Sequence, residues 1–365
     1  MPVFKVLAPG DPAPWFRARS LARPDFAFDT VAGRYLVLGF FGTATDPLAE
    51  AALRDIAGAA EFNDVHASFF GITVNPKDEP SLRDRVPGLR WFLDFDGSIS
   101  SAYGAKAEDD PSAYRRMWVV LDPSLRVIAV LPFSQGSADA DKLLALIKGL
   151  PSPSQHTGAD SFPPVLVLPN VFEPDLCRTL INGYERDGGE ESGFMRDIGG
   201  KTVLVQDHAH KRRRDFIIDD PDLISALQKR VQRRIVPEIA KAFQFHVTRM
   251  ERYLVGCYRA DEGGHFRPHR DNTTKGTAHR RFAVTINLNS DFDGGELSFP
   301  EFGHRSLKPK PGCAVVFSCS LLHTASPVTS GVRYAFLPFL YDDAAAEIRM
   351  ANLPYLAEQP QLKTD

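Results

Sequence analysis

Cysteine is scarce: Cys177, Cys257, Cys313 and Cys319 are the four in 365 residues, and no two form a C-x-x-C pair. That spacing excludes the usual zinc-ribbon and dithiol redox motifs and leaves reduced, mostly buried thiols as the plain reading. Nowhere do eighteen apolar residues run together, and Met1 to Asp11 lacks the apolar core of a secretion signal. The sequence therefore predicts a soluble, cytoplasmic protein that does not enter a membrane. An excess of either charge is also lacking, with 43 Lys and Arg against 46 Asp and Glu and a net charge of -3. Such a field is too weak to select nucleic acid or a membrane surface, which leaves small molecules or proteins as expected partners. The one basic run is His210-Lys211-Arg212-Arg213-Arg214; such runs are usually solvated, although an acidic substrate or a phosphate could use one.

What is present is enough apolar residue, 43% of the chain, for more than one core. Two domains are expected. Strand-like runs at Tyr35–Phe41, Phe69–Thr73, Met117–Leu121 and Val127–Leu131 alternate with helical spacing at Leu48–Ala59 and Ala138–Leu150, an α/β pattern over residues 1–150. Pro151-Ser152-Pro153-Ser154 and the residues to 161 read as a linker. Beyond it, Asp220-Pro221 resembles a helix cap and first turn. Leu223, Leu227, Val231, Ile235 and Ile239 then predict one long helix, kinked at Pro237, that backs a sheet. Short strands follow at Tyr253–Tyr258, Arg281–Leu288, Glu296–Phe299, Ala314–Ser318 and Tyr334–Tyr341, so the second domain reads as a β-barrel or sandwich.

Within that domain, Phe266-Arg267-Pro268-His269-Arg270-Asp271 places an imidazole and a carboxylate two residues apart. On an extended strand such residues share a face. His323 follows the apolar strand Ala314–Ser318 and can return to the same barrel mouth. Two histidines and one carboxylate leave coordination positions open, which suits iron(II) with a bidentate 2-oxo acid and dioxygen, whereas structural zinc is closed by four protein ligands. The distal carboxylate of such a co-substrate needs a buried planar cation, and Arg333 fits that need. Phe266, Phe299 and Phe317 are candidate pocket-lining residues. His265 stands four before His269, but Pro268 breaks any helix between them, so it is taken as structural or substrate-facing.

Cys257-Tyr258, Gly264-x-Phe266-x-x-His269-x-Asp271, Asp293-Gly294-Gly295-Glu296-Leu297, Pro311 through Phe317, Leu322-His323 and Pro327-Val328-x-Ser330-Gly331-x-Arg333 follow one another in an order that resembles the prolyl 4-hydroxylase-like branch of the iron(II)/2-oxoglutarate dioxygenases, in particular bacterial prolyl or lysyl hydroxylase-type proteins. Pro163 to Glu185 resembles the entry to that domain. The resemblance implies a double-stranded β-helix, or jelly-roll barrel, with supporting helices over residues 162–345, and a C-terminal tail over 346–365. It implies that His269, Asp271 and His323 hold the metal, that Arg333 binds 2-oxoglutarate, and that Tyr258 lies beside the co-substrate. Thr285 and Asn287 are weaker cofactor-binding carry-overs. The implied cofactors are Fe(II), 2-oxoglutarate and dioxygen, with ascorbate as a reductant. The implied reaction is hydroxylation of an unactivated C–H bond with release of succinate and carbon dioxide.

Pro9-Gly10-Asp11-Pro12, Gly33 through Phe41 and Met117 through Pro123 resemble peroxiredoxins of the thioredoxin fold. The position after the first core strand, where that family carries its attacking thiolate, reads Gly42-Thr43-Ala44-Thr45-Asp46-Pro47-Leu48-Ala49, and no cysteine precedes Cys177. The fold is expected without the activity, and Arg115 or Arg116, near the strand that would carry that family's active-site arginine, is expected to be a structural leftover or part of a binding surface. The sequence thus points to a dioxygenase acting on a protein or peptide side chain such as proline, with an N-terminal domain that recruits a protein partner. The alternatives are a small-molecule 2-oxoglutarate oxygenase and a non-catalytic thioredoxin-like adaptor.

Overall fold

The computed structural model describes residues 2–357 and divides into two compact units, one running to Phe162 with residues 300–304 clustered with it, the other formed by the remainder from Pro163. In the first unit five strands form one sheet in the order Leu89–Leu93, Ala67–Thr73, Tyr35–Gly42, Met117–Leu121, Val127–Pro132. The first three run parallel and the last two antiparallel. Central strands covered on both faces read as unbroken apolar runs, which is why Tyr35–Gly42 and Ala67–Thr73 stand out in the sequence. Leu89–Leu93 escapes that reading because Arg90, which pairs with Asp64, interrupts a run of only five. The helices Pro47–Gly58 and Ser137–Gly149 bury Ala52, Ile56, Leu143 and Ile147 against the core that holds Phe41, Phe69, Trp118 and Phe133. This is the thioredoxin-like arrangement.

Ahead of Pro47–Gly58, in the stretch Gly42 to Ala49 that holds no thiol, a carboxylate caps the helix. Asp46 caps the helix by accepting from the Leu48 and Ala49 amides, and it accepts two further bonds from Arg116 at 2.9 and 3.1 Å. Hydrogen bonding by Arg116 holds the Asp46 carboxyl below the usual range. Arg115 donates to the Gly104 and Lys5 carbonyls, so both arginines are tied to the scaffold. The isolated N-terminal unit should therefore consume peroxide at the blank rate in a thioredoxin-coupled assay. Turnover above blank would locate a nucleophile that is not a thiol. Pro153–Gln155 forms a short 3-10 turn with Pro153 buried, so the expected linker opens with an ordered element.

The second unit contains two facing-type sheets of a jelly roll. The larger has the order Arg249–Glu251, Phe339–Tyr341, Phe282–Asn287, Val328–Phe336, Leu254–Arg259, Arg214–Ile217, Glu190–Glu191, with Ala314–Ser318 and then Leu166–Leu168 added onto Phe282–Asn287. The smaller runs Lys211–Arg212, His265–His269, His323–Ala325, Leu297–Ser298, Ser306–Leu307. Period-two alternation sorts the larger sheet's side chains. Val255, Cys257, Ile286, Tyr334 and Phe336 join a core with Leu180, Leu227, Val231 and Ile239 of the helices. Tyr258, Asn287 and Arg333 are out of phase with that set and fall on the other face. There Tyr258 and Val328 of the larger sheet cluster with Phe266 and Ala325 of the smaller.

Two expected elements are interrupted. The long helix is two, Pro221–Arg234 and Val236–Phe243, broken at Ile235, because Pro237 lacks an amide hydrogen and is tolerated only in a first helical turn. The final strand is Val328–Phe336 and Phe339–Tyr341, parted at Leu337-Pro338 for the same reason. The segment taken as a tail from residue 346 begins inside a helix, Asp343–Asn352, followed by a 3-10 turn at Leu353–Tyr355. Its last residues, 358–365, lie outside those described. Among the described residues no helix is long and apolar enough to cross a membrane.

Candidate metal centre

His269 is the last residue of its strand and is the register partner of His323, so strand pairing itself sets the two imidazoles side by side, with ring centroids 4.2 Å apart. Asp271 is not on the strand, as the two-residue spacing suggested, but in the turn that follows it. Its amide donates to the Cys319 carbonyl at 2.9 Å, which holds the turn. The Asp271 carboxylate then lies 3.6 Å from His269 Nε2 and 3.3 Å from His323 Nε2. One ligand atom from each of the three residues lies within 4.8 Å of the others.

Both rings are oriented the same way. His269 Nδ1 is 2.7 Å from the Arg267 carbonyl and His323 Nδ1 is 3.0 Å from the Leu321 carbonyl. A carbonyl only accepts, so each Nδ1 carries hydrogen and each Nε2 offers its lone pair to the shared space. Burial, reinforced by the neighbouring His323, pushes the His269 pKa well below 6.5, so this ring is neutral at neutral pH. Phe266 stacks on His269 with centroids 3.4 Å apart, and Phe317 meets His323 edge-on at 4.7 Å. Phe299 is further out, 6.3 Å from His323. The three phenylalanines expected to line the pocket therefore flank the two histidines.

Arg333 is 3% exposed and opposite Tyr258 in the strand register, with its guanidinium 5.2 Å from the Tyr258 ring centroid. Its Nε donates to Asn287 Oδ1 at 3.1 Å, and Asn287 in turn donates to the Pro309 carbonyl. Burial lowers the Arg333 pKa, yet a guanidinium remains protonated. No carboxylate pairs with it among the described residues. Gly295, at φ 62°, is close behind: an added Cβ would stand 3.0 Å from Arg333 Cδ, which accounts for glycine in the Asp293-Gly294-Gly295 turn. Thr285 lies two residues before Asn287 on one strand and shares its face. His265 is structural, with Nδ1 and Nε2 at 2.7 and 3.4 Å from the Gly263 and Ala209 carbonyls.

The basic run departs from expectation. Lys211 and Arg213 are 4% and 7% exposed, while Arg212 is exposed, because extended backbone running from the edge strand Lys211–Arg212 through Arg213 into Arg214–Ile217 turns alternate side chains inward. Sequence reading missed both, since a block of like charge hides its period of two.

A further buried network supports the Asp271 turn. Glu251 accepts from Arg280 Nε at 2.8 Å and shares a hydrogen bond with His279 at 3.0 Å, and Arg280 reaches the Asp271 carbonyl at 3.5 Å. Burial alone would raise the Glu251 carboxyl, but the His279 hydrogen bond and the Arg280 charge outweigh it and hold it at about 2. A depressed carboxyl contributes stability that is complete above its unfolded value and is lost as pH falls through its folded one. Acidification from about pH 5 to about pH 2 should therefore cost roughly 3 kcal/mol through this residue. Urea midpoints across that window should fall less steeply for Glu251→Gln; equal slopes in the two proteins would remove the assignment.

Comparison with known proteins agrees with this geometry. Residues 253–341 match the family model described as the 2OG-Fe(II) oxygenase superfamily. One PKHD-type hydroxylase of Pseudomonas putida is 36% identical over 91 residues, covering 22% of this chain and 39% of that protein. Another from the same species is 30% identical over 188 residues, covering 47% of this chain and 75% of its own length. Among solved structures, a Trichoplax adhaerens prolyl hydroxylase in complex with a hypoxia inducible factor peptide covers 54% of this chain and 89% of its own, with 17% identity and a TM-score of 0.42. The peroxidoxin BcpB of Mycobacterium tuberculosis covers 40% of this chain and 100% of its own, with 23% identity and a TM-score of 0.35. The family implies Fe(II), 2-oxoglutarate and dioxygen. The chain belongs to the PKHD-type hydroxylases of the 2OG-Fe(II) oxygenase superfamily, and is thus an oxidoreductase of the dioxygenase class.

Proposed function

We propose that this protein uses iron(II) and 2-oxoglutarate to hydroxylate an unactivated C–H bond of a protein or peptide side chain, with proline the leading substrate because the motif text resembles the prolyl 4-hydroxylase-like branch. The observation that carries the reading is the convergence of two imidazole Nε2 atoms and one carboxylate on one point, with a buried guanidinium lacking a carboxylate partner on the larger sheet. The donor set fits the ion: two nitrogens and one oxygen leave positions free for a chelating co-substrate and dioxygen, which a closed four-ligand zinc site does not.

In this reading His269, Asp271 and His323 hold the iron and Arg333 holds the distal carboxylate of 2-oxoglutarate, oriented by Asn287 and Tyr258, with Thr285 on the same wall. The bound iron supplies the oxidation, in which one atom of dioxygen goes to 2-oxoglutarate, giving succinate and carbon dioxide, and the other to the C–H bond, giving an alcohol. Ascorbate would be the reductant that keeps the metal ferrous. The protein's part is to hold the reactants in register and to exclude water from the wall made by Phe266 and Phe317. Supplying iron(II), 2-oxoglutarate and ascorbate to the purified protein should yield succinate in proportion to 2-oxoglutarate consumed, and metal-free protein should yield none. Equal succinate with and without iron would sink the reading.

The N-terminal unit fits recruitment of a protein partner or the substrate itself, since a thioredoxin-like surface can hold an extended peptide and a tethered second site raises local concentration. Protein beginning near Phe162 should still consume 2-oxoglutarate but hydroxylate its substrate less efficiently. Full-length rate and affinity in that shortened protein would end this proposal.

A further inference from the structure

Lys211 is the side chain that the iron and 2-oxoglutarate reading leaves without a task. It is the register partner of Phe266, and its Nζ stands 4.9 Å from the centre of that ring, which is itself stacked on His269. An ammonium group has three donors. Two are taken by neutral acceptors, Ser192 Oγ at 2.7 Å and the Gly193 carbonyl at 2.6 Å. No carboxylate lies within ion-pair distance of Nζ among the described residues. The nearest candidate, Asp215, is already claimed: Arg213 binds it through two nitrogens at 2.6 and 2.7 Å, Ser192 donates to it at 2.6 Å, and Arg252 approaches at 3.2 Å. A charge removed from water without a counter-charge is costly, and burial accordingly pushes the Lys211 pKa well below the usual lysine range, so a ligand that supplies the counter-charge is what holds this group charged.

The charge balance points the same way. With Lys211 protonated, Lys211, Arg213, Arg252 and Arg333 surround two carboxylates, Asp215 and Asp271, which leaves two positive charges in excess. A ferrous ion and the 2-oxoglutarate dianion cancel each other, so filling the metal site and the co-substrate site leaves that excess in place. Arg252 is partly exposed and can be balanced by solvent, but Lys211 cannot. Arg213 and Arg333 both approach the Tyr258 ring, at 5.8 and 5.2 Å, so the co-substrate anchor is on that wall, whereas Lys211 is on the wall of Phe266 and His269.

We propose that Lys211 is the specificity-determining residue for the substrate to be oxidised, and that this substrate carries a carboxylate within a few bonds of the C–H bond that is hydroxylated. The inference rests on the iron and 2-oxoglutarate reading above. The carboxylate comes from an acidic residue of a peptide or from a small organic acid; the chemistry of recognition is the same. A site built to bond a charged group rejects the analogue that lacks it far more strongly than an apolar pocket rejects a missing methylene.

The test uses the full-length protein with iron(II), 2-oxoglutarate and ascorbate. A bacterial extract is split into peptide and small-molecule fractions, and half of each is treated to convert its carboxylates into N-methylamides. Products that have gained one oxygen atom are counted by mass spectrometry. Wild type should oxidise the free-carboxylate half at least about 100-fold more efficiently than the amide half, and the fraction in which products appear identifies the source. Lys211→Met and Lys211→Gln should abolish that preference, and Arg212→Gln, on the exposed neighbour, should retain it. Equal products in the two halves, none in the free-carboxylate half, or a preference that survives in a folded Lys211 variant would each overturn the proposal. So would a Lys211 variant whose half-saturating 2-oxoglutarate concentration rises while the preference stays, since that places Lys211 in the co-substrate pocket. The wild-type comparison decides the matter even if the variants do not fold. A wild type that consumes no 2-oxoglutarate would instead overturn the reading on which this one rests.

Discussion

Replacing His269 or Asp271 with alanine should reduce iron-dependent 2-oxoglutarate consumption by more than about 100-fold, an increase of at least about 2.7 kcal/mol in the barrier, while the protein stays folded. The two effects separate because of where the side chains sit. Each is 14% exposed at the edge of the inter-sheet space, and neither belongs to the apolar clusters that hold the sheets and helices together. His269 is fixed by its own strand pairing with His323, and that backbone pairing survives loss of the imidazole. What disappears is one of three donors, so the ion loses affinity and geometry together. Metal binding stabilises only the folded state, and wild type should therefore gain thermal stability on titration with iron(II) or with manganese(II), whereas the alanine variants should gain little. Calorimetry with and without metal, beside a succinate assay, reads both halves of the expectation. Normal succinate yield from either variant would falsify the ligand assignment, and a collapse of the metal-free melting temperature would show that these residues hold the fold.

Arg333→Ala should weaken 2-oxoglutarate binding by about 2–5 kcal/mol, the usual cost of removing one member of a buried hydrogen-bonded charge pair. The guanidinium is buried with one nitrogen on Asn287 and a tyrosine ring beside it, and no carboxylate pairs with it among the described residues. A dicarboxylate whose 2-oxo acid end is held by the metal brings the second carboxylate that this group lacks. The loss should appear in the half-saturating concentration of 2-oxoglutarate and much less in iron affinity, because Arg333 is on the larger sheet and the metal residues are on or beside the smaller. Arg333→Lys should recover only part of it, since an ammonium cannot make two parallel bonds to a carboxylate. An unchanged half-saturating concentration in Arg333→Ala would move the anchor elsewhere, with Arg213 the first candidate.

Legibility followed the length scale of the interactions. The clustering of His269, Asp271 and His323 and the burial of Arg333 were readable because metal and carboxylate chemistry admits few residue types, although Asp271 came from the turn and not from the strand. The apolar runs Tyr35–Gly42 and Ala67–Thr73 were readable because a strand covered on both faces tolerates little else. The helix break at Ile235 was half readable: Pro237 announced a fault, but the capping geometry two residues earlier decided that the element would be two helices and not one bent one.

The sequence by itself determined the residue types on offer: two histidines and a carboxylate that can share an ion, an arginine on a barrel strand, and an N-terminal fold with no thiol to attack peroxide. Only the tertiary structure decided which cations are buried. Lys211 and Arg213 look like members of a solvated run until the flanking strands pair, Lys211–Arg212 with His265–His269 and Arg214–Ile217 with Leu254–Arg259, and alternate residues turn inward. It also moved Asp271 from the strand into the turn, where the Cys319 carbonyl fixes its amide, and it gave Asn287 its place on Arg333. The physical reason is common to all three. Residue type and local spacing fix what a side chain can do, but burial and counter-charge are set by residues brought together from distant parts of the chain, and those contacts leave no local mark in the sequence.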